Sequence, residues 1–116
     1  MGAMTTSDAI KPFAQTITEE VLSWPGVESG PGRFGSVQLR LGKRELGHLH
    51  GDHLADIPFP RAIRDELVAA GRVVPHRPLP DSGWASRHIE TEADARHVVE
   101  LLRMQYDRAM AKRSAA

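Results

Sequence analysis

The sequence predicts an α+β fold, in which one antiparallel sheet of four or five strands carries helices packed on one face. Near both ends of the chain, apolar residues recur at the spacing of an amphipathic helix. The central stretch 36–57 alternates apolar and polar residues and contains two glycine turns, a pattern typical of an antiparallel meander. A proline-rich connection at 76–83 then separates a second short helix from a last strand.

The predicted order of elements is α-β-β-β-α-(β)-β-α. The first helix is predicted at 8–23 and is most secure from residue 11, because Pro12 is tolerated only in a first helical turn. The stretch 27–32 is interpreted as a loop. The later elements are predicted as strands at 36–41, 45–50 and 53–57, a helix at 60–70, a short extended piece at 73–74, a strand at 84–90 and a final helix from Thr91 to about residue 112.

Length and composition indicate one small domain. In a chain of 116 residues, we assign 5–112 to a single α+β domain, 1–4 to a vector remnant and 113–116 to a flexible tail. Fifteen basic and fifteen acidic residues give zero net charge, which argues against nucleic-acid binding. The sequence has no cysteine and no apolar run long enough to cross a membrane. We expect a cytoplasmic protein, a monomer or weak homodimer, whose partner is a small molecule or another protein.

Three of the six histidines lie close together, at His48, His50 and His53, with Asp52 and Asp56 beside them. Two histidines that are two residues apart on one strand point to the same face. They could share one zinc or nickel ion, with His53 or Asp52 as third ligand. The alternative, which we favour, is that these histidines occupy ordinary strand positions and need no cofactor.

The register of the first hairpin decides which face these histidines take. A two-residue turn at 42–43 pairs Leu39 with Leu46 and directs the strand histidines toward the helices. A three-residue loop turns them outward. We favour the first register because it pairs two leucines.

Several segments together resemble a known family. They lie at 24–27, 44–52, 56–60 and 79–84, and include Gly-His-Leu-His-Gly-Asp and Pro-Asp-Ser-Gly-Trp. Over about 20–108, the chain resembles a bacterial and fungal family of small proteins labelled luciferase domain, of unknown function. The order of elements is more distantly similar to MmcQ/YjbR-like proteins, which implies the same sheet with helices on one side. The family label implies light emission, yet the sequence has no Rossmann or flavin fingerprint.

We therefore predict a small-ligand or protein binding module without complete catalytic machinery, and assign no catalytic residue. The predicted ligand-binding residues are His48, His50, Asp52, Asp56, Asp81, Ser82 and Trp84. For 81–83 the alternative is a simple turn, and for Trp84 a core residue. The alternative function is a metal-binding protein or metal-dependent enzyme that uses His48, His50 and His53, with Asp52 as ligand or as a group that orients one.

Overall fold

A computed structural model describes residues 11–115 and confirms the α+β class. Residues 1–4, which we predicted to be a vector remnant, lie outside the described residues. The helices are α1 (Phe13–Leu22), α2 (Arg61–Ala69) and α3 (Glu92–Ala115), and the strands are β1 (Val27–Pro31), β2 (Val37–Leu41), β3 (Arg44–His50), β4 (Leu54–Pro58), β5 (Val74–Pro75) and β6 (Trp84–His88). Within this range no helix is long and apolar enough to span a membrane.

The six strands form one sheet in the order β1-β2-β3-β4-β6-β5, and every neighbouring pair is antiparallel. The predicted number of four or five was slightly low, because β1 lies where a loop was expected. Its sequence Val-Glu-Ser-Gly-Pro has little strand propensity of its own, so pairing with β2 determines its conformation. Pro31, which lacks an N–H group, lies at the end of this edge strand, where a proline is tolerated.

The helices cover one face of the sheet, and the hydrophobic core lies between the helices and that face. Its largest fully buried apolar side chains come from α1, the central strands and α3: Ile17, Val21, Leu39, Leu46, Leu49, Ile57, Val98, Leu101 and Leu102. Helix α3 continues to Ala115, so 113–115, which we had assigned to a flexible tail, belong to its last turn. The long apolar stripe of α3 lies against the sheet, and within residues 11–115 all three helices pack on this face.

A capping box formed by Thr91 and Asp94 begins α3. The backbone N–H of Asp94 donates to Thr91 Oγ1 and that of Thr91 donates to Asp94 Oδ2, both at 3.1 Å. The same carboxylate accepts hydrogen bonds from the Glu90 backbone and from Arg87. These bonds, led by that of Glu90, lower the pKa of Asp94 to about 2.

A β-bulge in β3 decides which way the histidines point. The turn has two residues, since Leu41 pairs with Arg44, but the register shifts so that Leu39 pairs with Gly47. The favoured pairing of Leu39 with Leu46 was therefore wrong. Leu46 and Leu49 are three residues apart and both are buried, which a regular strand of period two cannot achieve on one face. The extra residue buries both leucines and turns the strand histidines to the open face.

Candidate ligand and metal site

The open face of the sheet forms a cleft of about 940 Å³. Phe34, Val74 and Leu79, which line it, expose 93%, 46% and 51% of their surface. Among the described residues, one other large apolar side chain, Leu22, is comparably exposed at 40%, and it lies on α1 outside the cleft. Exposed apolar surface is thus concentrated at one place, as at sites that bind ligands.

Asp56 is the centre of the polar floor of this cleft. It lies on β4, where it pairs with His48 of β3 and Ser86 of β6, and is only 1% exposed. Its Oδ2 atom lies 3.2 Å from His48 Nε2 and 2.9 Å from His50 Nε2. Its Oδ1 atom accepts a 2.6 Å hydrogen bond from Ser86 Oγ and lies 3.4 Å from His76 Nδ1. Both carboxylate oxygens therefore have polar neighbours on neighbouring strands.

His48 is held between two carboxylates. Its Nδ1 atom lies 2.7 Å from Glu45 Oε2, on the side away from Asp56. The hydrogen bonds with Asp56 and Glu45 raise the pKa of His48 to about 9, against a smaller opposing effect of burial. The ring is therefore cationic at neutral pH and donates from both nitrogens.

The two carboxylates are stabilised in their charged form. Burial works to raise the pKa of Asp56, but the hydrogen bonds from His48 and Ser86 outweigh it and place that pKa at about 2. Burial acts in the same direction on Glu45, but the hydrogen bonds with His48 and Gln38, together with the charge of His48, outweigh it, so the pKa of Glu45 is lowered. The floor thus contains two anionic groups around a cationic imidazole.

Three donor atoms, one each from His48, His50 and Asp56, lie within 4.8 Å of one another. Two imidazoles and one carboxylate are a donor set that divalent transition metals accept. The Glu45 carboxylate on the far nitrogen of His48 is the partner that commonly fixes the tautomer and direction of a ligating histidine. These residues could therefore hold a metal ion once the proton between His48 and Asp56 has been displaced.

Aromatic and apolar side chains rise directly from this floor. The Trp84 ring centroid lies 5.2 Å from that of His48 and 5.8 Å from that of His76. Phe34, which lines the cleft, has a φ of 57°, a left-handed conformation that non-glycine residues rarely adopt. A strained and exposed phenylalanine beside a polar cluster is a feature of binding sites.

The structure brings together part of the predicted site. His48, His50, Asp56 and Trp84 line the cleft, and His53 is exposed at its rim. Asp52 lies outside it, because its Oδ1 atom accepts a 2.9 Å hydrogen bond from the Ala14 backbone at the start of α1. That bond connects the β3–β4 turn to the helical layer.

Asp81 and Ser82 also lie outside the lining of the cleft. The Ser82 hydroxyl donates to Leu79 O at 2.7 Å and accepts from the Trp84 backbone at 3.1 Å, so it stabilises a turn. Asp81 is exposed beside it. In the structure, this segment positions Trp84.

Three polar groups of the floor were absent from the sequence prediction: Glu45, His76 and Ser86. Glu45 had one signal, its position three residues before His48. His76 and Ser86 had none, because they reach Asp56 only through the pairing of β6 with β4 and β5.

Comparison with known proteins gives the family. Residues 43–105 match the family model described as the luciferase domain. The match covers more than half of the chain and includes β3, β4 and β6, which carry most of the polar floor. The chain therefore belongs to the luciferase domain family, as its resemblance implied. No curated protein and no solved structure gives a significant match.

Proposed function

We propose that this protein binds a small molecule in the cleft on the open face of its sheet. The observation that carries the proposal is the grouping of Phe34, Val74 and Leu79 around the polar floor. Binding sites for small molecules combine apolar walls with a few convergent polar groups, and their volumes are typically about 300–1,000 Å³. A concave site of this size suits a small molecule better than the flat surface of a folded partner.

The test uses a neutral, apolar fluorescent probe, 1-N-phenylnaphthylamine. We expect saturable binding that weakens at least fivefold in Phe34→Ser and in Leu79→Ser. Because both side chains are at least half exposed, these changes should leave the melting temperature close to that of the wild type.

Leu22→Ser is the matched control, since Leu22 is an exposed apolar residue outside the cleft. It should bind the probe like the wild type. Equal weakening in Leu22→Ser, or no weakening in the two cleft variants, would contradict the proposal.

A metal-dependent function of the same cleft is the second candidate. It is favoured by the convergence of His48, His50 and Asp56 on one point. Zinc or nickel suits two nitrogen ligands and one carboxylate, and an ion with an open position can polarise a substrate or activate water. Elemental analysis of untagged protein, with thermal melts before and after chelation, tests it. One equivalent of metal whose removal lowers the melting temperature would support this candidate, and metal-free protein with unchanged melts on adding zinc or nickel would contradict it.

A further inference from the structure

We infer that the ligand of this cleft is an apolar molecule with an anionic oxygen donor, which binds directly to a divalent ion held by His48, His50 and Asp56. The inference rests on the proposed function and on its metal-dependent form, and it adds the chemical class of the ligand. It follows from the positions of the protein donors, the charge of the lining and the place of the apolar walls.

The protein donors occupy one side of the ion. His48 and His50 come from β3 and Asp56 from β4, and all three rise from the same face of the sheet. Tetrahedral coordination leaves one position open, and octahedral coordination leaves three. These positions face the cleft, because the sheet itself fills the other side.

The neighbouring polar side chains are already engaged. Glu45 Oε2 is bonded to His48 Nδ1, and Ser86 Oγ donates to Asp56 Oδ1. His76 Nδ1 lies on the Oδ1 side of Asp56, while the two ligating histidines lie on the Oδ2 side. Among the described residues, no further histidine or carboxylate joins the group of His48, His50 and Asp56, so the open positions are left to water or to a ligand.

The charge of the lining selects an anion. Glu45 and Asp56 are the carboxylates that line the cleft within 11–115, and Arg33 and Arg77 line it as well. The positive charge of a divalent ion and two arginines is larger than the negative charge of two carboxylates. An anionic oxygen on the ligand reduces this excess and is a good donor for zinc, nickel or cobalt.

The apolar walls begin next to the donors. The Trp84 ring centroid lies 5.2 Å from that of His48, and Leu54, which pairs with His50, also lines the cleft. Phe34 and Leu79 extend the apolar surface outward. A ligand whose acidic group is on the ion therefore has its body against these side chains, as an aromatic or branched aliphatic acid would.

The test compares 2-naphthoate with 2-naphthamide, which share a ring system and differ in charge. Protein is loaded with Co²⁺, whose visible absorption reports its ligands. We expect one equivalent of Co²⁺ to bind, and naphthoate to bind at least tenfold more tightly than naphthamide and to shift the absorption band. In chelated protein this preference should fall below twofold.

Two histidine variants form a matched pair. His50→Ala removes a converging donor, whereas His53→Ala removes an exposed histidine at the rim. His50→Ala should lose Co²⁺ and the preference for naphthoate, and His53→Ala should keep both. Chelated wild-type protein gives the same comparison if His50→Ala does not fold.

Three results would overturn the inference. The first is the absence of Co²⁺ binding, and the second is equal affinity for the two probes in loaded protein. The third is a preference for naphthoate that leaves the band unchanged, which would place the anion on the arginines instead. If naphthamide or phenylnaphthylamine still binds the cleft, the proposed function survives, and if no probe binds, both fail.

Discussion

Gly83→Ala should destabilise the protein strongly through a contact with the backbone of Phe59, a residue of the hydrophobic core. A Cβ atom at Gly83 would overlap the carbonyl oxygen of Phe59, which follows β4. The backbone fixes the position of the Cβ atom, and the atom that it meets is a backbone oxygen, so no side-chain rotation relieves the contact. The Phe59 N–H also donates to Gly83 O at 3.1 Å, and this bond joins the 79–83 turn to the end of β4.

Two effects set the magnitude. Forcing a methyl group into a closely packed contact costs about 1–3 kcal/mol. Loss of the hydrogen bond between Phe59 and Gly83 adds about 1 kcal/mol. The free energy of unfolding should therefore fall by about 2–4 kcal/mol, which in a domain of this size lowers Tm by roughly 10–20 °C.

Urea denaturation followed by circular dichroism measures this change, with Gly42→Ala as control. Gly42 has a φ of 62° but nothing within 4 Å of its Cβ position, so alanine there has only the backbone cost of about 1 kcal/mol. If Gly83→Ala stayed within about 0.5 kcal/mol of the wild type, the reasoning from this contact would be refuted. Because the turn precedes Trp84, Gly83→Ala should also weaken binding of phenylnaphthylamine.

Three further predictions concern titration and packing. The pKa of Asp94 is about 2 in the folded protein against an ordinary 3.8, so its stabilisation is present above pH 4 and is lost as the pH falls from 3.8 to 2. Asp94→Asn should lower the free energy of unfolding by about 1 kcal/mol at pH 7, after allowance for solvent screening. Urea melts of the variant and the wild type should converge near pH 2, and a difference in stability that stays constant with pH would contradict this prediction. In chelated protein, NMR titration should place the pKa of His48 near 9, because of its hydrogen bonds with Asp56 and Glu45. The free energy of unfolding should decline as the pH rises from 6.5 to 9. A pKa of His48 near 6.5 would refute its ion pairs with the two carboxylates. Tyr106→Phe removes a 2.8 Å hydrogen bond to a loop carbonyl and should cost about 1 kcal/mol in urea melts, whereas an unchanged midpoint would show that the bond contributes nothing.

The elements that the sequence predicted correctly are those whose periodicity reflects burial. Leu39 and Leu41 alternate with polar residues and are buried on the helix face of β2, and Val98, Leu101 and Leu102 lie on one stripe of α3. Strand β1 could not be found in this way, since only Val27 of its five residues is buried. Its conformation comes from pairing with β2, and pairing partners are not visible in a single sequence.

Part of the site depends on one irregularity. The sequence contains a signal for the bulge, namely two leucines three residues apart in a strand, Leu46 and Leu49, but we had placed only Leu46 opposite a partner. The extra residue changes the face of His48 and His50, so the prediction had the right histidines directed to the wrong side. Asp56 was among the predicted residues, while its contacts with β3, with β6 and with His76, which follows β5, depend on the order of the whole sheet.

The division of β3 between the core and the cleft has a consequence for how this protein can evolve. Along β3, Leu49 belongs to the core while its neighbours His48 and His50 line the cleft, so folding and recognition depend on alternate positions of the same strand. Selection can change the positions of one set while the other set stays constant. A saturation mutagenesis library of β3 can be sorted separately for folding and for binding. The positions that tolerate substitution in each sort should alternate along the strand, and the alternation should shift by one residue at the bulge, at Leu46.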